Sequence, residues 1–221
     1  VDNIRGRMFA LAVDDLVIPI VTGQSLAGCS NVCSPYSHYV EYTKEELREL
    51  DNRAFECLLK GFLLSMGLLL KMCNADKVVS VNNWLLTTNP YLRISSEQIA
   101  AVTTYLKRKY PDRAIVFRTV DAHTCPGYPS ALRDNGYRMV GARTVYFLDP
   151  LKDTCLKTKN VRRDLNMLAK TSYEIIDSNQ LSDADIPRIT QLYRDLYLKK
   201  YTPLNPQFNE AFFSHVLKNG V

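Results

Sequence analysis

The stretch from Tyr128 to Pro150 constrains the fold more than any other part of the chain. A helix-compatible segment leads into Gly136, and glycine commonly ends a helix because it adopts the left-handed conformation without a side-chain clash. Residues 137–148 are rich in Val, Tyr and Phe, which favour an extended backbone, with a bend expected at Gly141. The stretch therefore predicts a helix followed by a strand, as in folds where the two alternate.

Size and charge set broad limits on the function. With 221 residues, 46% of them hydrophobic, the chain can bury the core of one large domain or of two small ones. The net charge of +5 is modest, and Lys and Arg alternate with Asp and Glu, which indicates a solvated surface rather than a nucleic-acid footprint. Only residues 157–170 are basic enough to suggest an anionic partner.

The six cysteines are irregularly spaced, which is typical of reduced thiols and predicts a cytoplasmic protein. Cys29, Cys33 and His38 would supply three metal ligands, but no fourth lies nearby, so we expect no metal site. The apolar run 61–70 is about half of the roughly 20 residues that a membrane span needs. It predicts a buried helix rather than a transmembrane one, with a membrane-surface helix as the alternative.

Turn and cap signals divide the rest of the first 150 residues. Asp14-Asp15 separates two apolar runs, 8–13 and 16–21, and predicts a hairpin whose second strand is an edge or is interrupted at Pro19. The other predicted elements are a strand at 36–42, a long helix that opens at the Thr43-x-x-Glu46 capping box, breaks at 50–52 and ends near 74, a strand at 77–82, a helix opened by the Ser95-x-x-Gln98 capping box, and a strand at 114–120 that is covered on both faces.

The composition shifts after Pro150 and predicts two domains. Residues 1–150 form the first domain, the polar, lysine-rich residues 151–160 form a linker, and residues 161–221 belong to a second domain. The elements predicted in this second part are a basic helix at 161–169, a strand at 173–177, a helix capped by Ser182, a loop at 201–206 and a last helix that carries Phe212 and Phe213.

Polar side chains near predicted strand ends are the candidate site residues. Asn82 and Asn83 follow a strand, where α/β proteins collect ligands, so we predict substrate binding, with turn-forming asparagines as the alternative. Arg118 would neutralise a substrate carboxylate or phosphate, or pair within the loop that begins at Asp121. His38, on the predicted strand 36–42, is the candidate general base or a buried structural histidine.

Over residues 76–149 the predicted elements follow the order strand, helix, strand, helix, strand. This order resembles the second half of a GNAT-superfamily acyltransferase domain, with residues 8–42 supplying antiparallel strands. Residues 173–220 resemble the opening of a second such domain. A tandem of this kind is similar to Fem-type aminoacyltransferases, which extend peptidoglycan precursors using aminoacyl-tRNA and often carry a basic helix like Asn160–Lys170. Segments 33–40, 81–86 and 114–118 are similar to those of long, uncharacterised bacterial GNAT-like proteins.

The resemblance implies an α/β fold in which a GNAT-like mixed sheet flanked by helices is followed by the start of a second, incomplete GNAT-like domain. It implies transfer of an acyl or aminoacyl group to an amine from acyl-CoA or aminoacyl-tRNA, with the donor undecided. A tRNA would bind through Arg162, Arg163 and Lys170. The resemblance also places three side chains on the substrate side of the second domain, Tyr197, Tyr201 and Asn205, and Tyr193 in its core.

The sequence departs from the family at the donor site. GNAT proteins bind the acyl-CoA pyrophosphate on backbone N–H groups at a glycine-rich helix start, but segment 89–94 contains no glycine. Near matches at 24–28 and 138–143 precede no predicted helix. We therefore expect the first domain not to hold CoA in the usual way, and the chain to be a fragment of a longer protein. The alternative is a non-catalytic scaffold that docks a partner protein or a membrane surface through the helix between Lys60 and Lys71.

Overall fold

A four-stranded mixed sheet forms the centre of the fold. In the computed structural model, β1 (Gly6–Val13) and β2 (Leu16–Gly23) form an antiparallel hairpin, paired from Gly6 opposite Gly23 to Val13 opposite Leu16. Strand β3 (Val78–Val81) is antiparallel to β2, and β4 (Ala114–Phe117) is parallel to β3. The α/β class, the hairpin and strand β3 are therefore confirmed.

The structure describes most of the chain. The described residues are 1–23, 28–47, 50–90, 92–142, 144–149, 157–174 and 176–219. Most of the predicted linker, and parts of the near-match segments 24–28 and 138–143, lie outside these residues. The division into two domains stays a prediction.

Pro19 lies inside the sheet, so the prediction of an edge strand is wrong. Strand β2 lies between β1 and β3. The carbonyl of Pro19 accepts the Asn83 N–H at 3.1 Å, just beyond the last β2–β3 pair, Ile20 opposite Val81. Since the nitrogen and carbonyl of an extended residue face the same side, the missing N–H of Pro19 falls past the end of β3 and costs no ladder bond.

Helix α3 (Ser96–Lys109) connects β3 to β4 and covers one face of the sheet. Its predicted capping box is present: Ser95 Oγ accepts the Gln98 N–H at 3.2 Å, and Gln98 Oε1 accepts the Ser95 N–H at 3.0 Å. The core between sheet and helix consists of Ile18, Ile20, Val79, Val81, Val102 and Leu106. A second, smaller cluster of buried residues consists of Val21, Cys29, Val32 and Cys33.

Helix α4 (Tyr128–Asp134) ends as predicted, with Gly136 in the left-handed conformation at φ +84°. The strand predicted at 137–148 is wrong, because none of its described residues forms a strand. Aromatic and β-branched residues favour an extended backbone, but a strand also needs a partner ladder. Strand β4 consequently stays at the sheet edge with Val116 38% exposed, so the prediction that both its faces are covered is also wrong.

The strand predicted at 36–42 is wrong as well, because these residues are helical. A π-helix at Ser37–Tyr42 continues directly into α1 (Thr43–Glu46). The start is capped by Ser34, whose Oγ accepts the Ser37 N–H at 2.9 Å. The buried Asp76 carboxylate accepts both the Ser34 hydroxyl and the Tyr36 N–H, each at 2.9 Å. Thr43 is therefore in the helix interior, and the capping box predicted there is also wrong.

Helix α2 (Arg53–Met72) begins after the predicted break, where Asn52 Oδ1 accepts the Phe55 N–H at 3.0 Å. One face packs on the π-helix. At Gly67, a Cβ would lie 3.3 Å from Tyr36 and 3.4 Å from Val40, so the absent side chain permits this close approach. Leu63 and Gly67 are the fully buried residues of α2, so the prediction of a buried helix is wrong for most of its surface.

The remaining elements are mostly helical. They are α5 (Lys159–Lys170), 3-10 turns at Ser178–Gln180 and Asp183–Asp185, α6 (Ile186–Tyr193), a π-helix at Arg194–Tyr201, and α7 (Glu210–Asn219). The described residues of the strand predicted at 173–177 form none, so that prediction is wrong. Of the helices in the described ranges, none has both the length and the apolar character to cross a membrane.

Hydrogen bonds connect the segment before α7, residues 202–209, to Asp2, Asn3 and Asn31 in the first part of the chain. The Asp2 N–H donates to the Gln207 carbonyl at 2.9 Å, and Asn3 Nδ2 donates to the Asn205 carbonyl at 2.9 Å. The Leu204 carbonyl accepts the Asn31 N–H at 2.9 Å.

Candidate functional site

The carboxyl ends of β3 and β4 lie at one edge of the sheet, because the two strands are parallel. Asn82 directly follows β3 and is buried. Its Nδ2 donates to the Pro90 carbonyl, and its Oδ1 accepts the indole N–H of Trp84, both at 2.9 Å. The Asn82 side chain therefore stabilises the loop that follows β3, residues 82–90.

Asn83 is also buried and connects three segments. Its Nδ2 donates to the Val32 carbonyl at 2.8 Å, while its Oδ1 accepts the Leu85 N–H at 3.0 Å and the Arg118 guanidinium at 2.9 Å. Arg118 also donates to the Leu86 carbonyl at 3.3 Å. The structure thus brings these predicted residues together. Since their polar atoms bond within the protein, they position the loops.

Three non-glycine residues at these strand ends have left-handed backbones: Asn82 at φ 57°, Leu85 at 60° and Thr119 at 55°. Such conformations cost on the order of 1–3 kcal/mol each and cluster at functional sites. The Thr119 backbone is held by its Oγ1, which accepts the Asn89 N–H at 3.1 Å and Nδ2 at 3.2 Å. Asn89 in turn accepts the Trp84 N–H at 2.9 Å.

Trp84 is the exposed member of this network, with 46% of its surface accessible. Its indole N–H and backbone N–H are both bonded, so its orientation is set while the ring remains available to a ligand. Trp84, Leu85 and Thr119 were missed as site residues. A single tryptophan beside two asparagines was the one available signal, because nothing in the residue types of Leu85 or Thr119 predicts a left-handed backbone.

The two cysteines near this loop, Cys29 and Cys33, are buried free thiols. Burial raises the pKa of the Cys33 thiol to about 12, and burial also raises the pKa of Cys29. Both thiols are therefore protonated at neutral pH and are poor nucleophiles. Within the described ranges, no group of three His, Cys, Asp or Glu side chains is placed to hold a metal ion.

His38 lies on the π-helix and not on a strand, so its predicted position is wrong. Its backbone N–H donates to the Ser34 carbonyl at 2.9 Å. Its ring meets Tyr39 edge to face with 4.8 Å between centroids and stacks with Tyr42 at 6.5 Å. The histidine belongs to an aromatic group on this helix.

The start of α3 is poorly suited to phosphate. The capping box satisfies the N–H groups of Ser95 and Gln98. The Glu97 carboxylate accepts the Ser95 hydroxyl at 2.7 Å and adds a negative charge at the helix start. An incoming pyrophosphate would have to displace these bonds and approach a carboxylate, which opposes binding.

Tyr197, Tyr201 and Asn205 also come together. The rings of Tyr197 and Tyr201 lie 6.3 Å apart, and Asn205 Nδ2 donates to the Tyr197 carbonyl at 3.0 Å. Both tyrosines are exposed. Tyr193 stacks on Tyr197 at 5.0 Å and donates its hydroxyl to the Pro206 carbonyl at 2.6 Å. Burial raises the pKa of Tyr193 to about 12, in keeping with the predicted core role.

The loop at 28–33 lies between the two groups of candidate residues. Val32 receives the Asn83 amide, and Asn31 donates to Leu204 beside the tyrosine group. The same loop is therefore bonded to Asn83 and to Leu204, the residue that precedes Asn205.

The basic helix α5 is exposed at every residue except the half-buried Val161, and its exposed residues include Arg162, Arg163 and Lys170. Among the described residues, its one ion pair joins Arg163 to Asp164 at 3.5 Å, between two exposed side chains. Exposed pairs of this kind are weak. The helix therefore presents cationic groups to solvent.

We define the α2 outer face as the side of α2 that points away from the π-helix. Its large side chains are between 49% and 80% exposed. A concavity of about 880 Å³ on this helix is lined by α2 residues alone, so it lacks the opposing wall of a small-molecule pocket. The residues of the α2 outer face recur at intervals of three and four: Phe55, Leu58, Phe62, Ser65, Leu69 and Met72.

Comparison of the chain with models of protein families, with curated proteins and with solved structures finds no match.

Proposed function

We propose that this chain serves a GNAT-type N-acyltransferase reaction, in which an acyl or aminoacyl group passes from a carrier to an amine. The observation that carries the proposal is the sheet. An antiparallel hairpin and an antiparallel third strand are followed by a helix crossover to a parallel fourth strand. This is part of the arrangement that the resemblance implies, which also includes strands at 36–42 and 137–148 that their described residues do not form.

The strand ends supply the chemistry that such a reaction needs from a scaffold. Acyl transfer passes through a tetrahedral intermediate, so the acceptor and the backbone N–H donors must be held rigidly. Asn82, Asn83 and Arg118 act as positioning residues that fix the loops. Trp84 provides an exposed wall for the substrate, and Tyr197 and Tyr201 provide a second aromatic surface.

The described residues favour aminoacyl-tRNA over acyl-CoA as the donor. The start of α3 is already capped and carries Glu97, which opposes pyrophosphate. Helix α5 instead offers exposed cations, and phosphate contacts by such residues dominate nucleic-acid affinity. The tRNA would bind through Arg162, Arg163 and Lys170. A cytoplasmic location fits this donor.

The test is binding of aminoacyl-tRNA, measured by fluorescence anisotropy between about 50 and 200 mM salt. Replacing Arg162, Arg163 and Lys170 together by alanine should weaken binding and reduce the slope of log K against log salt by about 2–3, roughly 0.7–0.9 for each lost phosphate contact. The matched control replaces two arginines and one lysine that are exposed on α3 and α4, Arg108, Arg133 and Lys107.

Equal losses in the two triple variants, or no tRNA binding at low salt, would overturn the tRNA proposal. A calorimetric titration with acetyl-CoA and CoA completes the test. Tight stoichiometric binding of either would replace tRNA by acyl-CoA as the donor.

The α2 outer face favours a second candidate, a non-catalytic module that docks a partner protein or a membrane surface. A side of a helix that carries so many exposed leucine and phenylalanine side chains marks an interaction surface.

A further inference from the structure

We propose that a polar cavity near the amino ends of β3 and β4 binds a small phosphorylated molecule, with Arg7 and Arg113 holding its phosphate. The residues that line the cavity come from the start of β1, the end of β2 and the turn before β4. Asn83 and Arg118 follow the carboxyl ends of β3 and β4, at the opposite end of the sheet. The proposed site is therefore separate from the network at those strand ends, and it depends on neither candidate function.

The cavity has walls from several segments of the chain. Its volume is about 470 Å³, within the range of about 300–1,000 Å³ that is typical of small-molecule sites. The concavity on α2 is lined by a single helix, whereas this cavity is lined by the β1–β2 hairpin and the turn that joins α3 to β4. Four of its five lining residues have polar side chains, which suits a polar or charged ligand. The lining residues are Gly6, Arg7, Thr22, Tyr110 and Arg113.

Arg113 is held in place by hydrogen bonds at both of its ends. Its backbone N–H donates to the Tyr110 carbonyl at 3.2 Å, and its Nη1 donates to the Gly23 carbonyl at 2.5 Å. A guanidinium has five N–H donors in a planar fork, and the bond to Gly23 uses one of them. The half-buried side chain is therefore oriented by the protein while other donors can bind a ligand.

Arg7 supplies the second guanidinium of the cavity. It lies opposite Thr22 in the β1–β2 ladder. The buried Thr22 hydroxyl accepts the Arg7 N–H and donates to the Arg7 carbonyl, each at 3.3 Å. These bonds fix the backbone from which the exposed Arg7 side chain extends. The sheet thus presents one arginine at the cavity, and the turn before β4 presents the other.

Within the ranges that the structure describes, neither arginine forms an ion pair with a carboxylate. The acidic residue next to Arg113 in the sequence, Asp112, lies 3.6 Å from Lys77 and pairs with it instead. Two like charges that line one cavity repel each other, and an anion between them replaces this repulsion by two attractions. The arrangement therefore favours an anionic ligand.

The end of α3 makes the surroundings of the cavity more positive. Tyr110, which directly follows α3, is one of the lining residues. The C-terminus of a helix carries about half a negative charge, which alone would repel an anion. The last turn of α3 contains three basic residues, Lys107, Arg108 and Lys109. Their charge exceeds that of the helix dipole, so the field near the cavity attracts anions.

A phosphate group matches two guanidiniums better than a single carboxylate does. A phosphate monoester carries a charge of about −1.5 to −2 near pH 7 and offers three acceptor oxygens. A carboxylate carries one charge, which one arginine neutralises. Guanidinium forks donate pairs of parallel N–H bonds to oxyanions, so one phosphate can accept from both arginines. The ligand class is thus the phosphate monoester of a molecule small enough for a cavity of about 470 Å³.

The experiment is isothermal titration of the full chain at about 50 mM salt with ribose 5-phosphate, ribose and succinate. We expect a Kd below about 1 mM for ribose 5-phosphate, weaker binding of succinate and no binding of ribose. Arg7→Gln should weaken the binding of ribose 5-phosphate by at least about tenfold, as expected for the loss of hydrogen bonds to a charged group. The matched control Arg108→Gln removes the same charge from an exposed residue of α3 that does not line the cavity, and should weaken binding by less than about threefold.

Arg113→Gln tests the second arginine and should have an effect similar to that of Arg7→Gln. Because Arg113→Gln also removes the bond to the Gly23 carbonyl, circular dichroism is used to verify its fold. If that variant unfolds, Arg7→Gln still tests the proposal, since the Arg7 side chain is exposed and the substitution retains the backbone bonds to Thr22.

No binding of ribose 5-phosphate up to about 10 mM, equal effects of Arg7→Gln and Arg108→Gln, or equal binding of ribose would overturn the phosphate proposal. Tighter binding of succinate would replace the phosphate by a dicarboxylate. Loss of tRNA binding in Arg7→Gln, without binding of ribose 5-phosphate, would assign the arginines to a nucleic-acid backbone instead. Since helix α5 is unaltered in these variants, failure of the small-molecule proposal leaves the tRNA proposal to its own test.

Discussion

Replacing Asp76 by alanine should unravel the helical segment at 35–46. The buried carboxylate accepts the Ser34 hydroxyl and the Tyr36 N–H, both at 2.9 Å. A hydrogen bond to a charged group contributes about 1.5–3 kcal/mol, so the loss of both should lower the free energy of unfolding by about 3–6 kcal/mol. Most single substitutions cost about 1 kcal/mol. For a chain of this size the expected loss corresponds to a fall in Tm of roughly 10–20 °C.

The assay combines urea denaturation, followed by circular dichroism, with hydrogen exchange of the amides from Ser37 to Tyr42. The matched control is Asp76→Asn, which keeps an acceptor oxygen in the same place and should lose less than half as much free energy. If the alanine variant stays within about 0.5 kcal/mol of the wild type and those amides keep their protection, then Asp76 does not determine this helix.

Two further predictions follow from local geometry. Gly136→Ala should lower the free energy of unfolding by about 1 kcal/mol, because φ at this position is +84°. The control Gly127→Ala should be nearly neutral in a thermal melt, since φ is −81° and no atom lies within 4 Å of the added methyl group. Equal effects of the two substitutions would contradict the role of Gly136 in ending helix α4. At about pH 8 a thiol reagent should modify the exposed Cys57 in the folded protein and Cys33 only after unfolding. The reason is that Cys33 is buried, and its burial raises the pKa of the thiol to about 12. Reaction of both cysteines at the same rate would contradict the burial of Cys33.

The sequence predicted best the elements that depend on contacts between near neighbours. The Ser95 capping box, the Gly136 stop and the Asp14-Asp15 hairpin each rest on groups a few residues apart. The segment at 36–42 shows the limit. Its aromatic residues favour a strand, although Ser34 before Pro35 is a combination that also starts helices. The decisive carboxylate of Asp76 lies about 40 residues away and is invisible to any local pattern.

The candidate site shows the same limit. The rule that ligands collect at the carboxyl ends of parallel strands selected Asn82 and Asn83 as candidates, and the structure joins Asn83 to Arg118. It could not tell whether their polar atoms face solvent. That depends on how the loop after β3 folds, and this loop contains left-handed Leu85 and packs against left-handed Thr119, which no residue preference predicts.

Helix α2 shows why an apolar pattern alone does not identify a partner. Its residues are apolar around most of the circumference, a pattern that predicts burial on every side, yet the protein covers one side only. Hydrophobicity expresses the cost of contact with water and applies equally to a protein core, a second copy and a bilayer. Charges that border the face would distinguish these environments, but Arg53, Lys60 and Lys71 lie on the opposite side of the helix from Phe62 and Leu69. Lys60 pairs with Glu56, and Lys71 lies over the Tyr36 ring. The exposed apolar face of α2 therefore indicates an interaction surface, and its charges select no one partner.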